Sequence, residues 1–247
     1  MISIKGLSKT YKNNTIKSVD DISFDVENGE ICAFIGANGA GKSTTIKCLT
    51  GILDFESGTI ELDGYDIKSH GIEAKKAIGY VPDDHVIYEA LTGIQYINFI
   101  SDIFGVSEQD RKARTEKYAK IFGLSDKLQS TISSYSHGMK QKISIIATLV
   151  HDPSIFILDE PMTGLDPQSS YELKQIMIDY AKSGKTVLFS SHVLEVVEKL
   201  CTKVVIIDKG QIKMVCAMDE LKEKLGDSSL ESIFLSLTGK ENSGGEI

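Results

Sequence analysis

The chain has 247 residues, which suits one large domain with a sizeable buried core. Its formal net charge is −8, which argues against nucleic acid as a partner, because proteins that bind nucleic acids usually present a basic face. No segment approaches the ~18 uninterrupted apolar residues of a membrane-spanning helix, and the first residues lack the apolar stretch of a secretory signal, so we expect a cytoplasmic chain that does not itself cross a bilayer.

The first third of the chain predicts strands. Residues Ile2–Ile4 and Ile22–Val26 alternate apolar and polar side chains, as half-buried strands do. Residues Glu30–Ile35 are more densely apolar, which is typical of a strand covered on both faces. Because Asn28-Gly29 predicts a turn, we expect the second and third strands to form a hairpin. Two further strands are predicted, at Thr59–Asp63 and Ala77–Val81.

The middle of the chain, from about Val86 to Val150, changes to helical periodicity and charge, which predicts an inserted helical subdomain. Beyond it, strands and helices alternate, as in an α/β core with a mainly parallel sheet. We expect residues 1–220 to form this domain, and residues 221–247 a C-terminal helical segment with a frayed tail over Lys240–Ile247. The later strands are predicted at Ile155–Leu158, Thr186–Ser190 and Val204–Ile207, and helices at Gln168–Lys182 and Leu194–Leu200.

Residues Gly36–Ser43 fit the pattern G-x-x-x-x-G-K-[ST] without a mismatch, and they join a predicted strand to a helix that begins near Lys42. Glycines let several backbone N–H groups point at one phosphate, and the helix N-terminus adds positive potential. The Lys42 ammonium can reach the β- and γ-phosphates, and the Ser43 hydroxyl can bind Mg²⁺. The loop therefore predicts a nucleoside triphosphate bound with Mg²⁺.

Two adjacent carboxylates, Asp159 and Glu160, follow the predicted strand that ends at Leu158. Successive side chains of a strand point to opposite faces, so the two acids can do different work. We expect Asp159 to hold Mg²⁺, often through water, and Glu160 to polarise the water that attacks the γ-phosphate. The alternative, a solvated acidic turn, is disfavoured by the phosphate loop upstream.

A second anion-binding turn is predicted at Ser134–Gln141, which precedes the apolar helical segment Ile143–Val150. The Ser136 side chain can cap this helix and can also donate its hydroxyl to a phosphate. If the turn lies in a different lobe from the phosphate loop, a second copy of the chain could supply it.

In these motifs and their order, the sequence resembles the nucleotide-binding subunits of ABC transporters, over nearly the whole chain from about Ile2 to Thr238. The matching segments are Gly36–Ser43 (Walker A), Tyr135–Met139 (signature), Ile155–Glu160 (Walker B), Gly164-Leu165-Asp166 (D-loop) and His192 (switch histidine). The resemblance implies a P-loop NTPase core with a mixed, mainly parallel sheet, an N-terminal antiparallel β subdomain and an inserted α-helical subdomain. It also implies a head-to-tail dimer, most simply of identical chains, in which each ATP lies between one chain's phosphate loop and the other chain's signature turn.

The resemblance further implies the binding residues, with ATP and Mg²⁺ as cofactors. His192 becomes a catalytic residue beside Glu160, as a sensor of the γ-phosphate, although a lone histidine after a strand is otherwise most often structural. Tyr11 matches the aromatic residue that stacks on adenine, with core packing as its alternative. Asp166 is an ordinary N-cap for a helix with Pro167 at its first position, and it can also contact the partner chain. The nucleotide-binding set is Tyr11, Asn38, Gly39, Gly41, Lys42, Ser43, Thr44, Ser136 and Gly138.

Two positions depart from the family pattern. The signature Tyr135–Met139 lacks the first glycine and the glutamine of LSGGQ but keeps Ser136 and Gly138. Asp83 stands where many relatives carry the Q-loop glutamine; its carboxylate can accept from a Mg²⁺-bound water, so the expected metal set is Ser43, Asp159 and Asp83. Both departures, and the segment Ser229–Gly239, resemble the bacterial drug and antibiotic exporters of the ABC-2 type.

The favoured function is therefore the ATP-hydrolysing subunit of an exporter, held at the inner face of the membrane by separate transmembrane permease subunits. One alternative is a soluble ABC-type ATPase acting on ribosomes or DNA, which usually carries two ATPase units or long coiled coils. This chain has one phosphate loop and no extended heptads. The other alternative is the energy subunit of an importer, against which the signature and the C-terminal segment argue by resemblance.

Overall fold

The computed structural model describes residues 1–12, 15–83, 87–225 and 229–239. The strands are β1 Ile2–Lys9, β2 Val19–Val26, β3 Ile31–Ile35, β4 Ser57–Leu62, β5 Tyr65–Asp66, β6 Ile78–Val81, β7 Ile155–Leu158, β8 Thr186–Ser191, β9 Lys203–Asp208 and β10 Gln211–Ala217. The α-helices are α1 Lys42–Leu49, α2 Gly71–Ala77, α3 Gly93–Ile103, α4 Glu108–Ile121, α5 His137–Val150, α6 Pro167–Lys182, α7 Leu194–Leu200, α8 Met218–Leu225 and α9 Leu230–Thr238.

The larger sheet has six strands in the order β10-β9-β3-β8-β7-β6 and is parallel except for β10, which runs antiparallel to β9. Every residue of β3, β7 and β8 is buried, which explains why these segments are apolar without alternation. The carboxyl ends of β3, β7 and β8 lie side by side, with Ile35 paired to Ser191 and Leu158 to Phe189. The phosphate loop, the two carboxylates and His192 follow these strand ends, so they lie at the same edge of the sheet. Ligands of open α/β sheets bind at such an edge.

The smaller sheet has the order β2-β1-β4-β5 and is antiparallel throughout, as predicted for the N-terminal part. The predicted hairpin between the second and third strands is wrong, because β2 pairs with β1 whereas β3 pairs with β8 and β9. The Asn28-Gly29 turn exists, with Gly29 at φ 83°, but it carries the chain from one sheet to the other. Turn chemistry determines a local reversal and not the partner of the strand that follows it.

The predicted helical insert is present, as α3, α4 and α5. Helix α3 begins with a capping box in which Thr92 and Gln95 exchange side-chain and backbone hydrogen bonds. Helix α5 packs against both α3 and α4 and is buried along most of its length, so it joins the insert to the core. The predicted start at Val86 lies outside the described residues, as does the tail over Lys240–Ile247.

The described residues near the C-terminus form α8 and α9. Helix α8 runs across residue 220, so the proposed division there remains a prediction. Among the described residues, each helix is too short or too polar to span a bilayer.

Candidate nucleotide-binding site

The phosphate loop occupies the turn between β3 and α1. Its geometry requires glycine at two points. Gly41 has φ 112°, and a Cβ there would lie 2.6 Å from the Ser18 carbonyl oxygen, while a Cβ at Gly36 would lie 2.4 Å from the carbonyl oxygen of Ile207. Gly41 is also the N-cap of α1 and provides no side-chain acceptor, so the first N–H groups of this helix remain available to a ligand.

The Lys42 ammonium lies inside this loop and is almost completely buried, with 7% of its side chain exposed. It donates to the carbonyl oxygen of Gly36 at 2.7 Å and to that of Ala37 at 3.4 Å. The carboxylate of Glu160 is also close, with its Oε1 4.0 Å from Nζ. Backbone carbonyls satisfy the ammonium without neutralising its charge, so the loop retains a cation suited to a triphosphate.

The two carboxylates after β7 have different surroundings, as the strand alternation predicts. Asp159 is 2% exposed, and its Oδ1 accepts a hydrogen bond of 2.6 Å from the Ser190 hydroxyl. The backbone N–H of Glu160 donates to the same hydroxyl oxygen at 2.8 Å. Glu160 has φ 48°, in the left-handed region that non-glycine residues rarely adopt, and such strain is concentrated at functional sites. Ser190 thus holds both acids at the sheet edge.

His192 contacts the second carboxylate. Its Nδ1 lies 2.8 Å from Oε2 of Glu160, and with Glu160 ionised this nitrogen is the donor. The imidazole is 64% exposed whereas the Glu160 side chain is 18% exposed. Glu160 therefore lies between the Lys42 ammonium on one side and the imidazole on the other, with its carboxylate oriented by both.

A cavity of about 380 Å³ opens beside this arrangement. Tyr11 stands at its rim, with its hydroxyl 3.2 Å from that of Thr44 and its side chain partly exposed, so it does not belong to the core. The predicted residues that line the cavity are Tyr11, Asn38, Gly39, Gly41, Lys42, Ser43, Thr44, Asp83 and Glu160. Asp159, His192, Ser136 and Gly138 are not among its lining residues. Asp159 is joined to the lining residue Glu160 through the Ser190 hydroxyl, and His192 contacts Glu160 directly.

The signature turn lies outside the lining of this cavity. Ser136 is exposed and caps α5, where its hydroxyl accepts from the N–H of Met139 at 3.3 Å. The backbone of Gly138 lies so close to the D-loop that a Cβ would be 2.6 Å from the carbonyl oxygen of Gly164. Packing within the chain thus explains why glycine stands at position 138, while the Ser136 side chain is exposed.

Two further contacts connect α5 to the segment after Glu160. The Gln141 amide donates to the Pro161 carbonyl at 3.1 Å, and Lys142 forms an ion pair of 2.6 Å with Asp166. Asp166 also accepts from the N–H of Ser169 at 2.9 Å, which confirms its predicted role as N-cap of α6. The hydrogen bond from Lys142 holds the pKa of Asp166 well below its usual range. Sequence reasoning assigned no role to Gln141, Lys142 or Ser190.

Ser190→Ala is expected to lower the rate of ATP hydrolysis by roughly tenfold, because it releases Asp159 and leaves the Glu160 N–H without an acceptor. Loss of a buried partner should also lower the free energy of unfolding by about 1–3 kcal/mol. Thr186→Val is the matched control, since it removes a buried hydroxyl at the other end of β8. Steady-state ATPase rates and urea unfolding test this; equal rates in the two variants would contradict it.

Comparison with known proteins places this site in a family. The family model described as ABC transporter matches residues 19–163. The chain is 34% identical to the ABC transporter ATP-binding protein NatA of Bacillus subtilis (strain 168), over 96% of this chain and 97% of that protein. It is also 34% identical to the linearmycin resistance ATP-binding protein LnrL of the same organism, over 96% of this chain and 75% of that one.

Solved structures agree with the sequence comparison. The fold matches a structure described as the ATP-binding subunit of an ABC transporter, with a TM-score of 0.91 and 32% identity, covering 96% of this chain and 99% of that chain. A dimeric ABC transporter cassette shares the fold, with a TM-score of 0.80 and 21% identity, covering 88% of this chain and 99% of that chain. The chain therefore belongs to the ABC transporter family, as an ATP-binding subunit that hydrolyses ATP.

Proposed function

We propose that this chain is the energy subunit of an exporter. It binds ATP with Mg²⁺, pairs head to tail with a second copy, and couples hydrolysis to movement of separate transmembrane permease subunits. The observation that carries the proposal is the division of the site. Lys42, Ser43 and Glu160 line one cavity, whereas Ser136 stands exposed and outside it, so each chain offers two complementary halves of a phosphate site.

The metal donors available here fit Mg²⁺. The Ser43 hydroxyl and the Asp83 carboxylate line the cavity, and Ser190 occupies only one oxygen of Asp159. Over the residues that the structure describes, no group of three or more His, Cys, Asp or Glu side chains could hold a metal by itself. Mg²⁺ typically takes one or two protein oxygens and completes its shell with water and substrate phosphates. Bound in this way, it would neutralise charge on the β- and γ-phosphates.

The hydrolytic step is assigned to Glu160. Its carboxylate can accept a hydrogen bond from the attacking water and so raise its nucleophilicity, and the bond to His192 keeps one carboxylate oxygen oriented. Lys42 and the loop N–H groups stabilise charge on the phosphate oxygens. The exposed imidazole of His192 is the side chain placed to exchange its bond with Glu160 for one with the γ-phosphate.

The direction of transport is proposed as export. The relative named linearmycin resistance ATP-binding protein supports it, as do the divergent signature Tyr135–Met139 and Asp83. The permease is proposed to hold the chain at the inner face of the membrane.

The permease is proposed to dock in a groove between α3 and the edge strand β6, where a mainly apolar cavity of about 260 Å³ is found. In the groove the ring of Phe104 stacks on His151, with centroids 3.8 Å apart. Burial lowers the pKa of His151 to about 4, so the imidazole is neutral near pH 7 and Lys75 is the charged residue of the groove lining. Ile52 lines the groove although 62% of it is exposed, which favours an apolar partner.

The test is a pull-down of the tagged chain from detergent-solubilised membranes of its native cell, followed by mass spectrometry. We expect a multi-span protein in fixed ratio, and at least about tenfold less of it with Ile52→Glu, because a buried unpaired charge is costly. Val215→Glu is the matched control, since this exposed apolar residue lies on β10 at the opposite edge of the sheet. Recovery of only ribosomal or DNA-bound proteins would overturn the transporter assignment.

A further inference from the structure

Helix α9 has no part in the site described above, yet it lies next to it. The side chain of Phe234 lines a cavity of about 310 Å³ together with His192, Leu194 and the first residues of the phosphate loop, Gly36 and Ala37. A residue near the end of the chain is thus a neighbour of the residue proposed to sense the γ-phosphate.

The position of His192 depends on the helix that follows it. The imidazole is largely exposed and its one side-chain hydrogen bond among the described residues is to Glu160. Its backbone is set by the end of β8 on one side and by α7, which begins at Leu194, on the other. Helix α7 has only seven residues, and its N-cap Val193 provides no side-chain hydrogen bond. So short a helix depends on tertiary packing for its stability.

Helix α9 supplies much of that packing. The Glu198 carboxylate, on α7, accepts from the backbone N–H of Leu230 at 2.5 Å, which places a negative charge at the N-terminus of α9. Leu230 is 2% exposed, and Phe234 follows it by four residues on the same face of the helix. Leu230 belongs to the larger hydrophobic core, and Phe234 and Leu194 are partly buried and pack against that core. One polar contact and one apolar face therefore join α9 to α7.

We propose that α9 positions His192 for hydrolysis, with Phe234 as the positioning residue that packs behind the turn carrying the imidazole. The inference rests on the proposed role of His192. Removing the Phe234 ring leaves the cavity wall incomplete, so α7 and the turn before it settle differently. Ala37 and Asn38 line both this cavity and the nucleotide cavity, so KM for ATP is the measurement that separates a displaced imidazole from a displaced phosphate loop.

The experiment compares ATPase kinetics of Phe234→Ala, Phe234→Leu and wild type, in purified chains that retain the wild-type thermal midpoint within a few degrees. We expect kcat of Phe234→Ala to fall roughly tenfold, because small displacements of a catalytic group are costly, and KM for ATP to change less than about twofold. Phe234→Leu should recover most of the rate. The control Leu235→Ala, at a neighbouring residue that is 58% exposed, should behave as wild type.

A double-mutant cycle with His192→Ala tests whether Phe234 acts on hydrolysis through the imidazole. If Phe234 acts through the imidazole, Phe234→Ala should reduce kcat less than about twofold in the His192→Ala background. An equal loss in both backgrounds, or a loss of thermal stability alone, would overturn the inference. If kcat falls in His192→Ala but not in Phe234→Ala, only the positioning role of Phe234 is overturned. If His192→Ala keeps the wild-type kcat, the proposed role of the histidine is overturned, and this inference with it.

Discussion

Glu160→Gln is expected to lower kcat for ATP hydrolysis by about 10²–10⁴-fold, the contribution that a general base typically makes. The amide has the size of the carboxylate and can still bond to His192 and lie near Lys42, but it cannot take a proton from the attacking water. The loss of one negative charge 4.0 Å from the Lys42 ammonium should leave ATP affinity equal to or higher than that of wild type.

Because hydrolysis is blocked while binding is retained, Glu160→Gln should accumulate as an ATP-bound dimer. Steady-state ATPase rates and size-exclusion chromatography with light scattering, in the presence of ATP and Mg²⁺, measure the two effects. Glu116→Gln, on the exposed surface of α4, is the control for loss of one carboxylate. A normal rate in Glu160→Gln would show that another group activates the water and that the assignment of the base is wrong.

The residues of the nucleotide cavity could be predicted largely from sequence because most of them lie in contiguous motifs. The backbone conformation of such a motif depends mainly on residues adjacent in the chain. The phosphate loop, Gly36–Ser43, needs only a strand before it, a helix after it and glycines where side chains would collide, and all three are readable from adjacent residues. The family resemblance supplied the residues that no local pattern marks, Tyr11 and His192, and the structure places both beside that loop or its carboxylates.

The role of Ser190 was missed because it depends on strand register. Its hydroxyl reaches Asp159 only because β7 and β8 are parallel neighbours with Leu158 opposite Phe189. The available signal was a polar residue directly after the apolar run Val187–Phe189, at the end of a predicted strand. The wrong hairpin has the same origin, since the choice between β1 and β8 as a partner is made by packing of distant segments.

The contacts between the signature helix and the D-loop were also beyond sequence reasoning. The close approach of Gly138 to Gly164, and the bonds of Gln141 and Lys142, join residues that lie 20 or more positions apart. They show that the outward-facing serine and the segment after Glu160 belong to one packed unit, although they are proposed to act on different ATP molecules. The proposal that each ATP contacts the phosphate loop of one chain and Ser136 of the other can therefore be tested by mixing two different variants of the chain.

Lys42→Ala and Ser136→Asp are each expected to lower ATPase activity by about 10²-fold or more when the variant is assayed alone. Lys42→Ala removes the positive charge beside the transferred phosphate, and Ser136→Asp adds a negative charge that repels it. Aspartate is as good an N-cap as serine, so Ser136→Asp should preserve the start of α5 while placing a carboxylate against the triphosphate. Thermal midpoints close to wild type would confirm that both chains fold.

Mixing the two inactive chains should restore activity. In a mixed dimer, the phosphate loop of the Ser136→Asp chain meets the intact signature of the Lys42→Ala chain, so one of two sites is complete. Random pairing of equal amounts makes half of the dimers mixed, so activity should approach about a quarter of wild type. Mixing Ser136→Asp with a chain carrying both substitutions completes no site and should stay inactive. If Ser136 served the ATP bound to its own chain, every site in the first mixture would also be broken, and no activity would return.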